Sequence, residues 1–250
     1  AMYNNDPRMP IAIPDAKLFD KIKLENIATI YNNEFANADG FTFYFVGNID
    51  EKLVKDYSKK FLANLNTKNL KPHFVDDGLR MVKGYNELNY RKGQDDKSLI
   101  IQVYHGELPY NEDLALKGSI LAEVLNMRIT EEIREKMGAI YSGGMSFEFA
   151  KYPYGHYSFT NQLPCGSENV QKVVEAMARE ISAVRTNGID KSYLEKAIKN
   201  MKESNRESQQ TNGYWMSALT SVYFDGKSKE RITHANERLD KITVEDIKAT

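Results

Sequence analysis

The sequence predicts an α+β fold, on three observations. Strand-length segments come early and amphipathic helical segments close the chain, with no repeating βαβ unit. Residues 111–137 carry Leu114, Gly118, Leu121, Leu125 and Ile129 at three- and four-residue steps, one apolar face of a long helix. The period then changes to two: Tyr141, Gly143, Met145, Phe147 and Phe149 alternate with Ser142, Gly144, Ser146 and Glu148, as in a half-buried strand.

Taken in order, residues 1–14 read as a leading linker, and the start Ala-Met-Tyr-Asn-Asn as an artificial junction. Residues 15–37 read as a helix with Leu18, Ile22, Ile27, Ile30 and Tyr31 on its apolar side. Phe41–Val46, between Gly40 and Gly47, is a continuous apolar run, expected to be a strand buried on both faces. Asp50 is placed to cap a second helix that turns Leu53, Val54, Tyr57, Phe61 and Leu62 inward. The stretch 64–79, with Pro72, Asp76, Asp77 and Gly78, breaks the pattern, so residues 15–66, a linker 67–79 and a domain 80–250 are expected. Segments 81–91 and 98–105 read as strands joined by a polar loop of hairpin length. Gly138 suits the left-handed position just past a helix end, and 141–149 with 156–163 form a strand pair around Tyr152-Pro-Tyr-Gly. The remainder reads as helices, including 213–225 and 228–239, and Thr243 with Asp246 forms a capping-box pattern before the last turn.

A chain of 250 residues can bury a proper core, as one large domain or two small ones. Its 34 basic and 35 acidic residues nearly cancel, which removes the electrostatic case for nucleic acid or an anionic membrane. Apolar runs are of strand length, so no membrane span is expected. The one cysteine, Cys165, excludes an internal disulfide or a cysteine-rich zinc site and reads as a small buried filler. Asp76-Asp77 and Asp95-Asp96 read as solvated turns.

Catalytic motifs are missing. A zinc hydrolase of the His-x-x-Glu-His type needs two histidines one helical turn apart and a glutamate to activate water. Of His73, His105, His156 and His234, the nearest approach is His234-Ala-Asn-Glu-Arg238, where a guanidinium stands in for the second ligand. No metal site is expected in this chain. Neither a Gly-x-Ser-x-Gly elbow nor a phosphate-binding Gly-x-x-x-x-Gly-Lys loop occurs.

Arg134 and Tyr141 remain, on either side of the Gly138 turn. On spacing alone, the arginine complements the helix macrodipole and the tyrosine packs. However, the surrounding segment, Leu125-Asn-Met-Arg-Ile-Thr-Glu-Glu-Ile-Arg-Glu-Lys-Met-Gly-Ala-Ile-Tyr-Ser142, resembles the signature of the non-zinc half of the insulinase/pitrilysin family of zinc peptidases. Asp39-Gly-Phe-Thr-Phe-Tyr-Phe-Val-Gly-Asn-Ile-Asp50 is similar to a strand-then-helix segment of that family. Asn212-Gly-Tyr-Trp-Met-Ser-Ala-Leu219 resembles a helix of its large bacterial zinc-protease branch. The three segments come in family order.

The resemblance implies a mixed or antiparallel sheet with helices on one face, as in mitochondrial processing peptidase. Residues 15–66 would close one such block and 80–250 would supply the next. It implies zinc in a partner half, in the same polypeptide or in a separate subunit, and a peptide substrate enclosed between the halves. The site residues it implies are Arg134 and Tyr141, with Ser142 and Gly143 beside the substrate. A non-catalytic scaffold or peptide-binding subunit is the alternative. The bacterial branch is mostly exported, so the resemblance implies a periplasmic or exported location. An edge-like strand at 141–147 could also extend a bound peptide.

Overall fold

The computed structural model describes residues 2–9, 14–68 and 74–250, in two compact units, Ala1–Arg91 and Lys92–Thr250. His73 and Pro72 lie outside the described residues.

In the first unit the expected helix 15–37 is two helices, α1 (Ala16–Phe19), capped by Asp15, and α2 (Leu24–Phe35). Asp50 accepts from the backbone N–H groups of Lys52 and Leu53 and starts α3 (Glu51–Tyr57), which runs on as a π-helical turn, Ser58–Leu62. Phe41–Val46 is not a strand, and its phenylalanines are exposed, contrary to the expectation of a doubly buried strand. Segment 81–91 is likewise outside any ladder, with Tyr85, Leu88 and Tyr90 exposed. The reason is common to both: a strand exists only by pairing its backbone groups with a neighbour. The one sheet among the described residues lies wholly in the second unit. No described residue of the first unit is fully buried, so the apolar faces of α2 and α3 remain open.

The second unit is a three-stranded antiparallel sheet of order β1-β3-β2: β1 (Ser98–Glu107), β2 (Gly144–Ala150) and β3 (His156–Cys165). Between β1 and β2 runs α4 (Glu112–Arg128), continued as a π-helical segment Ile129–Lys136. Asn111 caps α4 by accepting from the N–H groups of Asp113 and Leu114. After the sheet come α5 (Val170–Asn187), α6 (Lys191–Ser208), α7 (Asn212–Tyr223), α8 (Glu230–Thr233), α9 (Ala235–Asp240) and α10 (Val244–Lys248). The predicted helix 228–239 is broken at His234, whose backbone leaves the helical region.

One face of the sheet carries Ile100, Met145, Phe149, Leu163 and Cys165, all buried against the helices. α4 lies on β2, with α6 and α10 against it, while α5 packs on β1 and on the π segment. α4 is thus covered on several sides, and its buried set (Gly118, Ile120, Ala122, Val124, Leu125) is wider than the single stripe expected. Gly118 is what lets it approach the sheet: a Cβ there would overlap the Phe147 ring. α10 carries the anticipated capping box, and the Lys117 ammonium donates to Asp246 at 2.6 Å, tying α10 to α4. That hydrogen bond, with those from Thr243, lowers the Asp246 carboxyl to a pKa of about 2.

Candidate functional site

The path from α4 into β2 decides where Tyr141 points. Gly138 has φ +58, the left-handed residue anticipated at the helix end, and the N–H of Ala139 closes on the carbonyl of Ile133 at 3.1 Å. That bond reaches one residue further back than in an α-helical cap, as the wider π turn requires. Ile140 then bridges Cys165, whereas Gly144 pairs with Gln162. Residues 141–143 therefore stand opposite only Leu163 and Pro164: the chain carries one extra residue, a β-bulge. Gly143 takes φ +102 there, and a side chain on it would collide with the Gln162 carbonyl.

The bulge changes the phase of the strand. A regular strand with Met145 facing the helices would also turn Tyr141 toward them. Instead Ile140 occupies the core at 3% exposure, and Tyr141 is 81% exposed. The alternation expected to run unbroken from Tyr141 to Phe149 in fact begins at Gly144, because one residue is spent in the bulge. Arg134 lies in the π segment and is exposed, while Ile129 and Ile133 of the same segment are buried. Among the described residues neither the Arg134 guanidinium nor the Tyr141 phenol has a hydrogen-bond or ion-pair partner. Ser142 and Gly143 are exposed with them, on the bulge itself.

Asn126 holds this corner in place. Its Nδ2 donates to the Met145 carbonyl at 2.8 Å, and its Oδ1 accepts from the Met145 N–H at 2.7 Å. A side-chain amide thereby plays the part of a neighbouring strand at the first residues of β2. Gly144 must be small, since a Cβ would run into Asn126 Oδ1. The same bonds occupy the Met145 backbone, so an added peptide strand has no ladder partner there. Sequence reasoning passed over Asn126. Its signal was a polar amide in line, at helical spacing, with Ala122, Ile129 and Ile133.

Polar contacts brace the π segment from the helix side. Arg128 donates through Nε to Glu180 at 2.7 Å and lies over the Tyr193 ring at 5.7 Å. The Tyr193 hydroxyl donates to Glu131; that bond, with some burial, pushes its phenol to a pKa of about 12. These charges are engaged by one another, in contrast with Arg134.

The remaining candidates have structural partners. Arg238, in the place of a second zinc ligand, donates to Asp113 at 3.0 Å and to the Glu112 carbonyl at 3.2 Å. Among the described residues no three His, Cys, Asp or Glu side chains are grouped to hold a metal ion. Cys165 is buried beneath the sheet, and burial raises its thiol pKa. Asp76 is bound by Arg80, and Asp95 by Lys97. Among the described residues no helix is long and apolar enough to cross a membrane.

Residues 21–201 match the family described as the Peptidase M16 inactive domain. The chain belongs to that family. Among relatives of the M16 chain, a probable zinc protease PqqL from Haemophilus influenzae is 22% identical over 184 residues, covering 72% of this chain and 19% of that protein. The crystal structure of the periplasmic protease PqqL from Escherichia coli superposes with a TM-score of 0.65 at 15% identity, over 81% of this chain and 22% of that one. The ferredoxin protease FusC, solved as a point mutant in complex with Arabidopsis ferredoxin, gives 0.71 at 13% identity, over 95% of this chain and 26% of that one. The M16 chain thus spans about a fifth of the curated relative's length, and it shares the fold of these proteases, an α+β unit with helices on one face of an antiparallel sheet.

Proposed function

We propose that this M16 chain is the substrate-binding, non-zinc half of a zinc metallopeptidase that encloses and hydrolyses peptides. The zinc half is supplied by the same polypeptide or by a partner subunit. In this reading residues 15–66 close a preceding block and residues 80–250 form the next. The observation that carries it is Tyr141: a large aromatic side chain, 81% exposed, turned outward by a bulge that Gly143 and Asn126 maintain. A pure scaffold has no use for such a device. Bulges re-aim side chains beside active sites, and π segments recur at functional positions.

The chemistry follows from the two free groups. Arg134 offers planar donors to the carbonyl oxygens of an extended peptide and holds its backbone. Ser142 and Gly143 let that backbone approach closely. Tyr141 donates its O–H to the oxygen that gains negative charge as the peptide carbonyl becomes tetrahedral. Loss of one such preorganised donor costs about 10²–10³ in kcat.

The test is peptide hydrolysis by the complete enzyme, wild type against Tyr141→Phe, with zinc content and thermal stability measured on both. We expect kcat to fall at least about tenfold with zinc and stability unchanged. Equal rates would make Tyr141 a surface residue and refute the clamp. A wild type with neither zinc nor turnover would leave the scaffold reading.

A further inference from the structure

The face of the sheet turned away from the helices is chemically graded along the strands. The register sets its rows: Leu99 beside Pro164; Ile101, Gln162 and Gly144; Val103, Thr160 and Ser146. Beyond these come His105, Ser158 and Glu148, and then Glu107, His156 and Ala150. In a chain that is 28% charged, the eight positions nearest the bulge carry no charge, and the charges gather at the far end. Leu99 and Ile101 are 58% and 55% exposed. The run Leu99-Ile-Ile101 serves both faces, and only Ile100 is used by the core.

The apolar end adjoins the bulge. Gly144 completes the row of Ile101 and Gln162 and raises no side chain, and Gly143 precedes it. Only Gln162 stands between Ile101 and the segment that presents Tyr141. The result is an uncharged strip with Leu99 and Ile101 exposed along one side.

We propose that Leu99 and Ile101, with Val103 and Pro164, form a subsite for an aliphatic or aromatic side chain of the bound peptide, close to the bond that is cleaved. The inference rests on the clamp reading of Arg134 and Tyr141 and adds substrate selectivity to it. The occupant is a peptide side chain because the apolar patch is continuous with the clamp and uncharged throughout. Its polar neighbours, Thr160, Ser146 and Gln162, offer hydrogen bonds to a peptide backbone but attract no charged group.

Two peptides that differ at one position near the scissile bond, Leu against Ser, provide the test. The kcat/KM ratio between them is measured for the complete enzyme with wild-type residues and with Leu99→Thr/Ile101→Thr, the cleavage position being fixed by product masses. Threonine keeps strand propensity at two exposed positions, so folding is preserved. We expect the preference for Leu to fall about tenfold to a hundredfold, the range that apolar side-chain discrimination spans. An unchanged ratio at every position near the cleaved bond overturns the subsite, even if Tyr141→Phe still lowers kcat and the clamp stands. A changed ratio with an inert Tyr141→Phe supports the subsite while the clamp reading fails. Loss of zinc-half association, or a change in oligomeric state in the double variant, would make this face a protein contact and overturn the proposal.

Discussion

Replacing Asn126 with alanine is the sharpest probe of how Tyr141 is presented. The substitution removes two short bonds to the backbone of Met145, a residue only 5% exposed. Each hydrogen bond contributes about 0.5–1.5 kcal/mol net, and each buried group left unpaired costs about 1–3 kcal/mol. If both Met145 groups stayed dry, the loss would reach about 6 kcal/mol. β2 is an edge strand with Ser146 exposed, so water reaches part of this backbone and a loss of about 2–3 kcal/mol is expected. For a domain of this size that is a fall in Tm of about 5–10 °C, readable by calorimetry. Asn126→Asp is the informative companion. At neutral pH its carboxylate still accepts from the Met145 N–H but repels the Met145 carbonyl. Protonation restores a donor, so its deficit against wild type should shrink as the pH falls. In the complete enzyme both variants should lower kcat at unchanged zinc content, because the strand that carries the bulge is no longer held. A Tm for Asn126→Ala within about 1 °C of wild type would show that the amide does not hold β2 and refute the argument.

Two other outcomes follow from the same structure. Gly143→Ala puts an L side chain at φ +102 and against the Gln162 carbonyl, a backbone penalty of about 1–3 kcal/mol before the clash; denaturant midpoints should fall and turnover with them, and a neutral result would contradict the bulge geometry. Asp246 has its carboxyl pKa lowered from 3.8 to about 2 in the folded chain, first by Lys117, so the stability it contributes is present above about pH 4 and lost as the pH falls toward 2. Asp246→Asn should therefore melt below wild type at neutral pH, and the two should converge near pH 2.

The regular parts of the second unit were legible because local physics decides them. Residues 111–137 read as helix from their apolar spacing, Gly138 as a stop from its freedom at positive φ, and Thr243 with Asp246 as a cap from three-residue spacing. Arg134, Tyr141, Ser142 and Gly143 were named through the family resemblance, and each of them is exposed. The bulge that sets their direction was not readable. A single added residue leaves no mark in an alternating pattern, and only the pairing of Ile140 with Cys165 and of Gly144 with Gln162 exposes it. Phe41–Val46 and 81–91 were misjudged for the opposite reason. Their composition favours strands, but strand formation depends on a neighbour that no described residue of the first unit supplies.

The bulge also determines what kind of change this corner tolerates. Surface turns ordinarily accept insertions and deletions more readily than the elements they join. Here Ile140 and Met145 both face the helices although five positions separate them, an odd interval that an unbroken strand forbids. Removing one residue between them forces a choice of which to bury, and adding one slides β2 against Asn126. The length of the segment from Ile140 to Met145 is therefore constrained as well as its two glycines. A substitution at the exposed Ser142 leaves the strand register intact, whereas a single-codon deletion beside it would rewrite the pairing of the whole edge.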